Sequence, residues 1–245
     1  MKVKLTISYD GTEYCGWQVQ PNASTVQQQI ENAVFMVTGE KVRVTGSGRT
    51  DSGVHAMGQV AHFVVDKNRI SGDRYAKALN AHLPQDIRVL DSCECDDSFD
   101  ACRSAKKKTY VYKTYISDVI LPLKERYAVR LDDNLDVEAM KSASKLFLGE
   151  HDFKGFCASG SMVKTTVRTI YSLDVCKDGQ DLTFTITGNG FLYNMVRIIV
   201  GTLLKVGEKK ATEDDVKKML ITGKRSLGGK TLSAKGLTLK SVEYQ

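Results

Sequence analysis

Residues 46–56 read GSGRTDSGVHA and set a guanidinium, a carboxylate and an imidazole close together: Arg49, Asp51 and His55. Side chains of these types suit anion binding, general acid–base work, or nucleophilic attack by the carboxylate. Two phosphate-binding patterns are excluded. A P-loop needs a lysine after its last glycine, and here Val54 and His55 follow Gly53. A dinucleotide fingerprint opening at Gly46 needs its third glycine where Asp51 stands. No Ser-His-Asp arrangement of familiar spacing is present. An aspartate on a flexible loop between strands also serves as a turn or capping residue, and a histidine as a hydrogen-bonding one, so both readings stay open for Asp51 and His55.

A second charge narrows the choice. FLYNMVRIIVGTLLKVG (residues 191–207) reads as a strongly apolar, largely buried helix with Arg197 in its middle. An unpaired buried charge costs several kcal/mol by rough estimate, so Arg197 needs an anionic partner or a route to water. Asp51 is one candidate among 29 acidic residues. Such a pair would keep the carboxylate ionised and oriented, as a nucleophile or general base must be.

A third feature is basic. AKKKTYVYKTYI (105–116) interleaves Lys106, Lys107 and Lys108 with Tyr110, Tyr112 and Tyr115, and GKRSLGGK (223–230) adds Lys224 and Arg225. Cations that neutralise phosphate beside rings that stack on bases hold single-stranded or looped RNA. A lysine-bordered strand on a solvated face is the alternative. The formal charge of +6, from 35 Lys and Arg against 29 Asp and Glu, fits a polyanionic partner without requiring one.

These residues need elements to carry them. Val3, Leu5 and Ile7 alternate with polar residues over 2–8, as in a half-buried strand. A helix follows from Ser24, which makes a capping-box pattern with Gln27; Val26, Ile30, Ala33, Val34 and Val37 share one face, and Gly39 closes it. Strands are predicted in KVRVTG (41–46) and GQVAHFVV (58–65), on either side of the quoted loop. Beyond them we expect a helix over 73–82, a strand in DIRVLDSCE, and a strand over 108–116. Asp136 starts a helix over 136–148, and a hairpin turns at Lys177, Asp178 and Gly179. A short helix over 212–221 and a last strand, LTLKSVEY, complete the chain. Strands and helices mix without strict alternation, which predicts an α+β fold with mainly antiparallel sheet. The acidic stretch ECDDSFDA followed by the basic segment places a division near residue 105, giving halves 1–105 and 106–245.

With 245 residues and 42% hydrophobic content a sizeable core is affordable. No apolar run approaches the roughly 18 to 20 residues of a membrane span, and MKVKLTISYD lacks the continuous apolar stretch of a signal peptide, so we expect a cytoplasmic protein. Six scattered cysteines, none in C-x-x-C spacing, read as reduced structural thiols; Cys93, Cys95 and Cys102 are the one cluster with any claim on a metal.

GSGRTDSGVHA resembles the signature of the TruA family of tRNA pseudouridine synthases. The likeness runs over nearly the whole chain, through YDGTEYCGWQVQPN, GQVAHF, LNAHLPQDIRV, SFDACRSAKKKTYVY, GEHDFKGF, TTVRTI and GNGFLYNMVRIIVGTL. It implies an isomerase that turns a uridine of tRNA, at positions 38 to 40 of the anticodon stem-loop, into pseudouridine. No metal or organic cofactor is implied. The implied fold is two similar α+β halves around a cleft with the aspartate at its base, working as a homodimer that binds tRNA across both subunits. By the same resemblance Asp51 is the catalytic aspartate, Tyr110 the ring that packs on the target base, Arg197 the partner of the aspartate, and Arg49 the residue that assists base extrusion. Phe191 and Leu192 would line the uracil pocket. Lys106, Lys107, Lys108, Lys224 and Arg225 are candidates for RNA-backbone contacts.

Two departures stand out. Many family members have Ala-Pro-Ala-x-Gly-Leu near the C-terminus, where this chain has LSAKGLTL with Ser233 in place of proline. Residues 102 and 103 are Cys-Arg where an arginine is expected one position earlier. Both bear on the choice of RNA, so a paralogue acting on ribosomal RNA, or an inactive RNA-binding or RNA-folding protein on the same scaffold, are the competing readings.

Overall fold

A computed structural model describes residues 1–66, 70–132, 135–160 and 163–244. In chain order its elements begin with β1 (Lys2–Tyr9), α1 (Val26–Thr38), β2 (Thr45–Gly46), β3 (His55–Val64), α2 (Tyr75–Asn80) and β4 (Ile87–Glu94). Next come β5 (Lys107–Ile116), α3 (Pro122–Glu125), β6 (Val129–Leu131), α4 (Val137–Ser144), β7 (Gly149–Asp152), β8 (Val167–Asp178), β9 (Asp181–Gly188), α5 (Met195–Gly207), α6 (Glu213–Thr222) and β10 (Leu237–Glu243). They form two compact units, Met1–Lys106 with Thr238–Gln245, and Lys107–Leu237. The class is α+β with mainly antiparallel sheet and flanking helices, as the mixed pattern predicts.

In the first unit the strands run in the order β4-β1-β3-β10, with β2 paired to β3. β1 lies antiparallel to β3 and to β4, and its alternation puts Val3, Leu5, Ile7 and Tyr9 inside while Lys2, Lys4, Thr6 and Ser8 stay half-exposed. β10 runs parallel to β3, pairing Thr238 with His55 and Leu239 with Ala56. The strand expected over 58–65 therefore begins three residues earlier, because β10 supplies partners for His55 and Ala56. The same pairing groups Thr238–Gln245 with the first unit, whereas the sequence assigned everything after residue 105 to one half. Parallel pairing between residues this far apart in the chain leaves no local trace.

Local chemistry also decides differently in α1. Thr25, not Ser24, is the N-cap, without a side-chain cap bond. The Gln27 side chain is buried and donates instead to Val44 O (2.9 Å) and Glu31 Oε1 (2.9 Å), while Glu31 Oε1 accepts from Val44 N–H (3.0 Å). These side chains satisfy the backbone at Val44, and the strand expected over 41–46 shrinks to Thr45–Gly46. Val26, Ile30, Ala33 and Val34 are buried as their spacing requires, Val37 in the last turn is only half-buried, and Gly39 ends the helix with φ 77°. The helix expected over 73–82 is a 3₁₀ turn, Gly72–Arg74, followed by α2.

In the second unit the order is β5-β9-β8-β7, antiparallel throughout, with β6 parallel to β5. The β8–β9 hairpin turns at Gly179 and Gln180, one residue later than predicted. Asp136 does cap α4, accepting from Ala139 N–H at 2.9 Å, but the helix ends at Ser144 in a 3₁₀ turn over Lys145–Phe147. α4 packs on α5 and β8. Thr212 and Asp215 form a reciprocal capping box at the start of α6.

A pH-sensitive contact ties down the stretch before the second unit. His62 Nδ1 accepts Ala101 N–H at 3.1 Å, and its ring meets Phe99 edge-on at 5.9 Å. Burial holds the imidazole below its ordinary value, with Lys2 adding to the effect and Asp100 opposing it. The unfolded chain takes up this proton near about pH 6.5 and the folded chain only below that, so folding stability should fall as pH drops below about 6.5. Denaturant titrations at about pH 7.5 and about pH 5.5 check this: the loss should be smaller in His62→Gln, and an equal loss in both proteins would refute it.

Among the described residues no helix is long and apolar enough to cross a membrane, and no group of three or more His, Cys, Asp or Glu could hold a metal ion. All six cysteines are free thiols.

Candidate active site

The loop between β2 and β3 carries Arg49 and Asp51 in the first unit. Its glycines make it look pliant, yet the backbone is bound on every side. Ser47 N–H donates to Val60 O (2.7 Å), Trp17 N–H to Thr50 O (3.0 Å), Gly53 N–H to Tyr14 O (3.3 Å), and Val54 N–H to Asp51 O (3.1 Å). The 10–17 segment thus lies directly against the loop. Two glycines permit that approach: a Cβ on Gly11 would stand 2.0 Å from Val54 O, and one on Gly16, at φ +84°, 2.5 Å from Thr50 O. Along the loop Arg49 is exposed, Thr50 buried and Asp51 half-buried.

His55 is buried at the start of β3, its Nδ1 3.0 Å from both Gly11 N and Asp10 Oδ1. One nitrogen cannot accept from the first and donate to the second in the same protonation state. The Gly11 N–H is a fixed donor, and Asp10 Oδ1 already accepts from the Thr12 N–H (3.0 Å) and hydroxyl (2.5 Å), so we assign Nδ1 as acceptor. His55 thereby links the turn after β1 to the start of β3.

The second unit holds the other candidates. Tyr110 on β5 is buried and meets Phe191 edge-on, ring centroids 5.1 Å apart at 83°. Neighbouring tyrosines are committed elsewhere: Tyr112 donates to Ser233 O (2.7 Å) and Tyr115 to Glu125 Oε2 (2.8 Å), both rings fully buried. Of the three rings interleaved with lysines, those two have no face for a base. Leu192 is buried beside Phe191 in the turn before α5.

Arg197 is not in the middle of its helix. α5 starts at Met195, because Asn194 takes a left-handed conformation (φ 61°) that a helix cannot propagate, so Arg197 lies in the first turn. Its Nε donates to Leu232 O (2.7 Å) and its Nη1 to Asn194 Oδ1 (2.5 Å), leaving the side chain half-buried. Asn194 carries no signal of its own in the sequence beyond its tolerance of positive φ. Ser233 has φ −58°, within the range proline imposes.

The basic candidates divide by what they touch. Lys106 and Lys224 are exposed. Lys107 Nζ lies 5.5 Å from the centroid of the Tyr171 ring, a cation–π contact, and Lys108 is half-buried. Arg225 turns onto its own loop, donating to Gly229 O (2.8 Å) and Thr231 Oγ1 (3.2 Å). At position 102, Cys102 N–H and Arg103 N–H both donate to Asp100 Oδ1, at 2.9 and 2.8 Å, and both side chains are exposed.

The model of the tRNA pseudouridine synthase family matches residues 5–103 and 143–245, reaching into both units. The chain is 48% identical over 242 residues to tRNA pseudouridine synthase A of Acetivibrio thermocellus, covering 99% of each. It is 45% identical to tRNA pseudouridine synthase A 2 of Clostridium perfringens over 99% of each, and 46% identical to tRNA pseudouridine synthase A of Citrifermentans bemidjiense over 99% of this chain and 97% of that one. A solved structure titled as an H/ACA RNP bound to a substrate RNA containing 2′-deoxyuridine matches at TM-score 0.37 and 11% identity, over 96% of this chain and 59% of that one, a likeness too faint to bear on fold or chemistry. On the strength of the family model and of relatives matched from end to end, this chain belongs to the tRNA pseudouridine synthase A family and is a pseudouridine synthase, an isomerase.

Proposed function

We propose that this enzyme isomerises uridine to pseudouridine at positions 38 to 40 of the tRNA anticodon stem-loop, with Asp51 as its catalytic carboxylate. In that reaction the N1–C1′ bond breaks, a C5–C1′ bond forms, C5 gives up its proton and N1 gains one. The single observation that carries the role of Asp51 is its half-buried place on a loop whose backbone is hydrogen-bonded on both flanks. A carboxylate held this way is oriented before substrate arrives, which lowers the entropic part of a barrier.

The other roles follow from the demands of the substrate. A stacked uridine must be flipped out to expose its glycosidic bond, at a cost of a few kcal/mol by rough estimate. Exposed Arg49 would assist extrusion, and the Tyr110–Phe191 ring pair, with Leu192, offers an apolar platform for the base. Arg197 is the proposed partner of Asp51, favouring its ionised form. It is supported by its half-buried position at the N-terminal end of α5, where the helix dipole also favours an anion. Asp51 has three routes: attack on C1′, attack on C6, or removal of the C2′ proton. Lys106, Lys107, Lys108 and Lys224 are proposed backbone contacts, which position RNA without reading its sequence. Arg225, turned inward, would order its loop. The homodimer is carried by the family resemblance, and the cytoplasmic location by the sequence reading above.

Incubation with unmodified tRNA followed by site-resolved mapping tests this reading. Pseudouridine at 38 to 40 is expected. Product confined to ribosomal RNA would make the protein a paralogue with another substrate, and tight binding without product on any RNA would make it an RNA-binding protein.

A further inference from the structure

Beneath the Arg49–Asp51 loop lie four polar side chains that the proposed chemistry does not use. Tyr9, Ser47, Thr50 and Gln59 are buried, Ser47 and Gln59 completely. Buried polar groups of this kind are tolerated only where their hydrogen bonds are made. Here they are: Ser47 Oγ donates to Gln59 Oε1 (2.5 Å), Gln59 Nε2 donates to Gly48 O (2.8 Å), and the Tyr9 hydroxyl shares a 2.8 Å hydrogen bond with Thr50 Oγ1. Burial raises the Tyr9 hydroxyl well above the ordinary tyrosine value, against the Thr50 and Gln59 hydrogen bonds, so it stays a neutral donor and acceptor.

The residues held are the ones that alternate with the two charged side chains. Gly48 is gripped through its carbonyl by Gln59, and Thr50 through its hydroxyl by Tyr9 and its carbonyl by Trp17. Arg49, between them, is exposed, and Asp51 follows directly. Both anchors come from strands, Tyr9 at the end of β1 and Gln59 in the middle of β3, whose antiparallel register pairs Ile7 with Gln59 and Tyr9 with Ala56. A site mounted on strands in this way is more rigid than its loop alone.

We propose that Tyr9 and Gln59 are positioning residues for the isomerisation: through their hydrogen bonds to Thr50 and Gly48 they set the direction in which Arg49 and Asp51 leave the loop. The proposal rests on the reading of Asp51 as the catalytic carboxylate. It differs from a stability role in what it predicts for the saturated rate, since displacing a reacting group by about 1 Å costs on the order of 100-fold.

The test measures single-turnover conversion of unmodified tRNA at saturating enzyme, RNA affinity, and the thermal midpoint, for Gln59→Met, Tyr9→Phe and Asp51→Asn. Gln59→Met keeps the bulk and removes the hydrogen bonds of its amide; it should slow the saturated rate by about 30- to 100-fold, and Tyr9→Phe by about 5- to 10-fold, each with RNA affinity within about threefold of the parent. Saturated rates within about twofold of the parent in both folded variants, or losses confined to RNA affinity, would overturn the proposal. If Gln59→Met does not fold, Tyr9→Phe, which loses one hydroxyl, decides by the same criterion. An active Asp51→Asn would remove the underlying reading of Asp51. An inactive Asp51→Asn beside unimpaired Tyr9→Phe and Gln59→Met would overturn the positioning role alone.

Discussion

Asp51→Asn is expected to lower turnover by about 10⁴-fold or more, as loss of a nucleophile or base does, while RNA affinity stays within a few-fold. The substitution is nearly isosteric and leaves the hydrogen bonds of the loop backbone in place: Val54 N–H still reaches the residue 51 carbonyl, and Trp17 N–H still reaches Thr50 O. An amide has neither the charge to attack carbon nor the basicity to take a proton, so all three routes open to Asp51 close together. Arg49 and the lysines proposed to meet phosphate are untouched, and on that reading they would carry the affinity. Single-turnover kinetics with tRNA, alongside a filter-binding titration, separate the two quantities. Turnover within tenfold of the parent would sink the role of Asp51.

Arg197→Met is expected to harm stability and rate together. The guanidinium donates to Leu232 O at 2.7 Å and Asn194 Oδ1 at 2.5 Å, and Leu232 is buried, so methionine leaves a buried carbonyl unsatisfied. Losing a hydrogen bond from a charged donor costs about 1.5 to 3 kcal/mol, which a denaturant titration resolves. If Arg197 also holds Asp51 ionised, the rate should drop by a further factor of about 10² to 10³, the usual effect of removing one electrostatic stabiliser from a reaction centre. Arg197→Lys separates the two effects. It restores a positive charge without the planar fork, so part of the rate should return while most of the stability loss remains. A normal rate in Arg197→Met would show that the proposed partnership with Asp51 is wrong.

How legible each part was depended on the range of the forces behind it. The β1 alternation, the apolar face of α1, the Asp136 cap of α4 and the Thr212 start of α6 depend on neighbours within a few residues, and the structure has them where the pattern put them. Errors fell where a distant partner won. Gln27 reads as a capping residue because capping is local, yet its side chain is drawn to Val44. The strand over 41–46 shortened for the same reason. The start of α5 was missed because a left-handed Asn194 ends an apolar run that otherwise looks continuous.

The candidate site divides the same way. By itself the sequence determined the family, through motif segments long enough to exclude coincidence, and it put forward Asp51, Arg49, Tyr110 and Arg197 as the candidate residues of the reaction. Only the tertiary structure decided that the Arg49–Asp51 loop is clamped and not pliant. Its restraints come from Tyr9, Tyr14, Trp17 and Gln59, separated from it along the chain and joined to it by hydrogen bonds that no local pattern announces. The structure also shows His55 accepting a hydrogen bond from Gly11 across a strand boundary. Glycine fixes conformational freedom locally, but whether that freedom is used or suppressed depends on what packs against it, and packing is settled only by the folded chain.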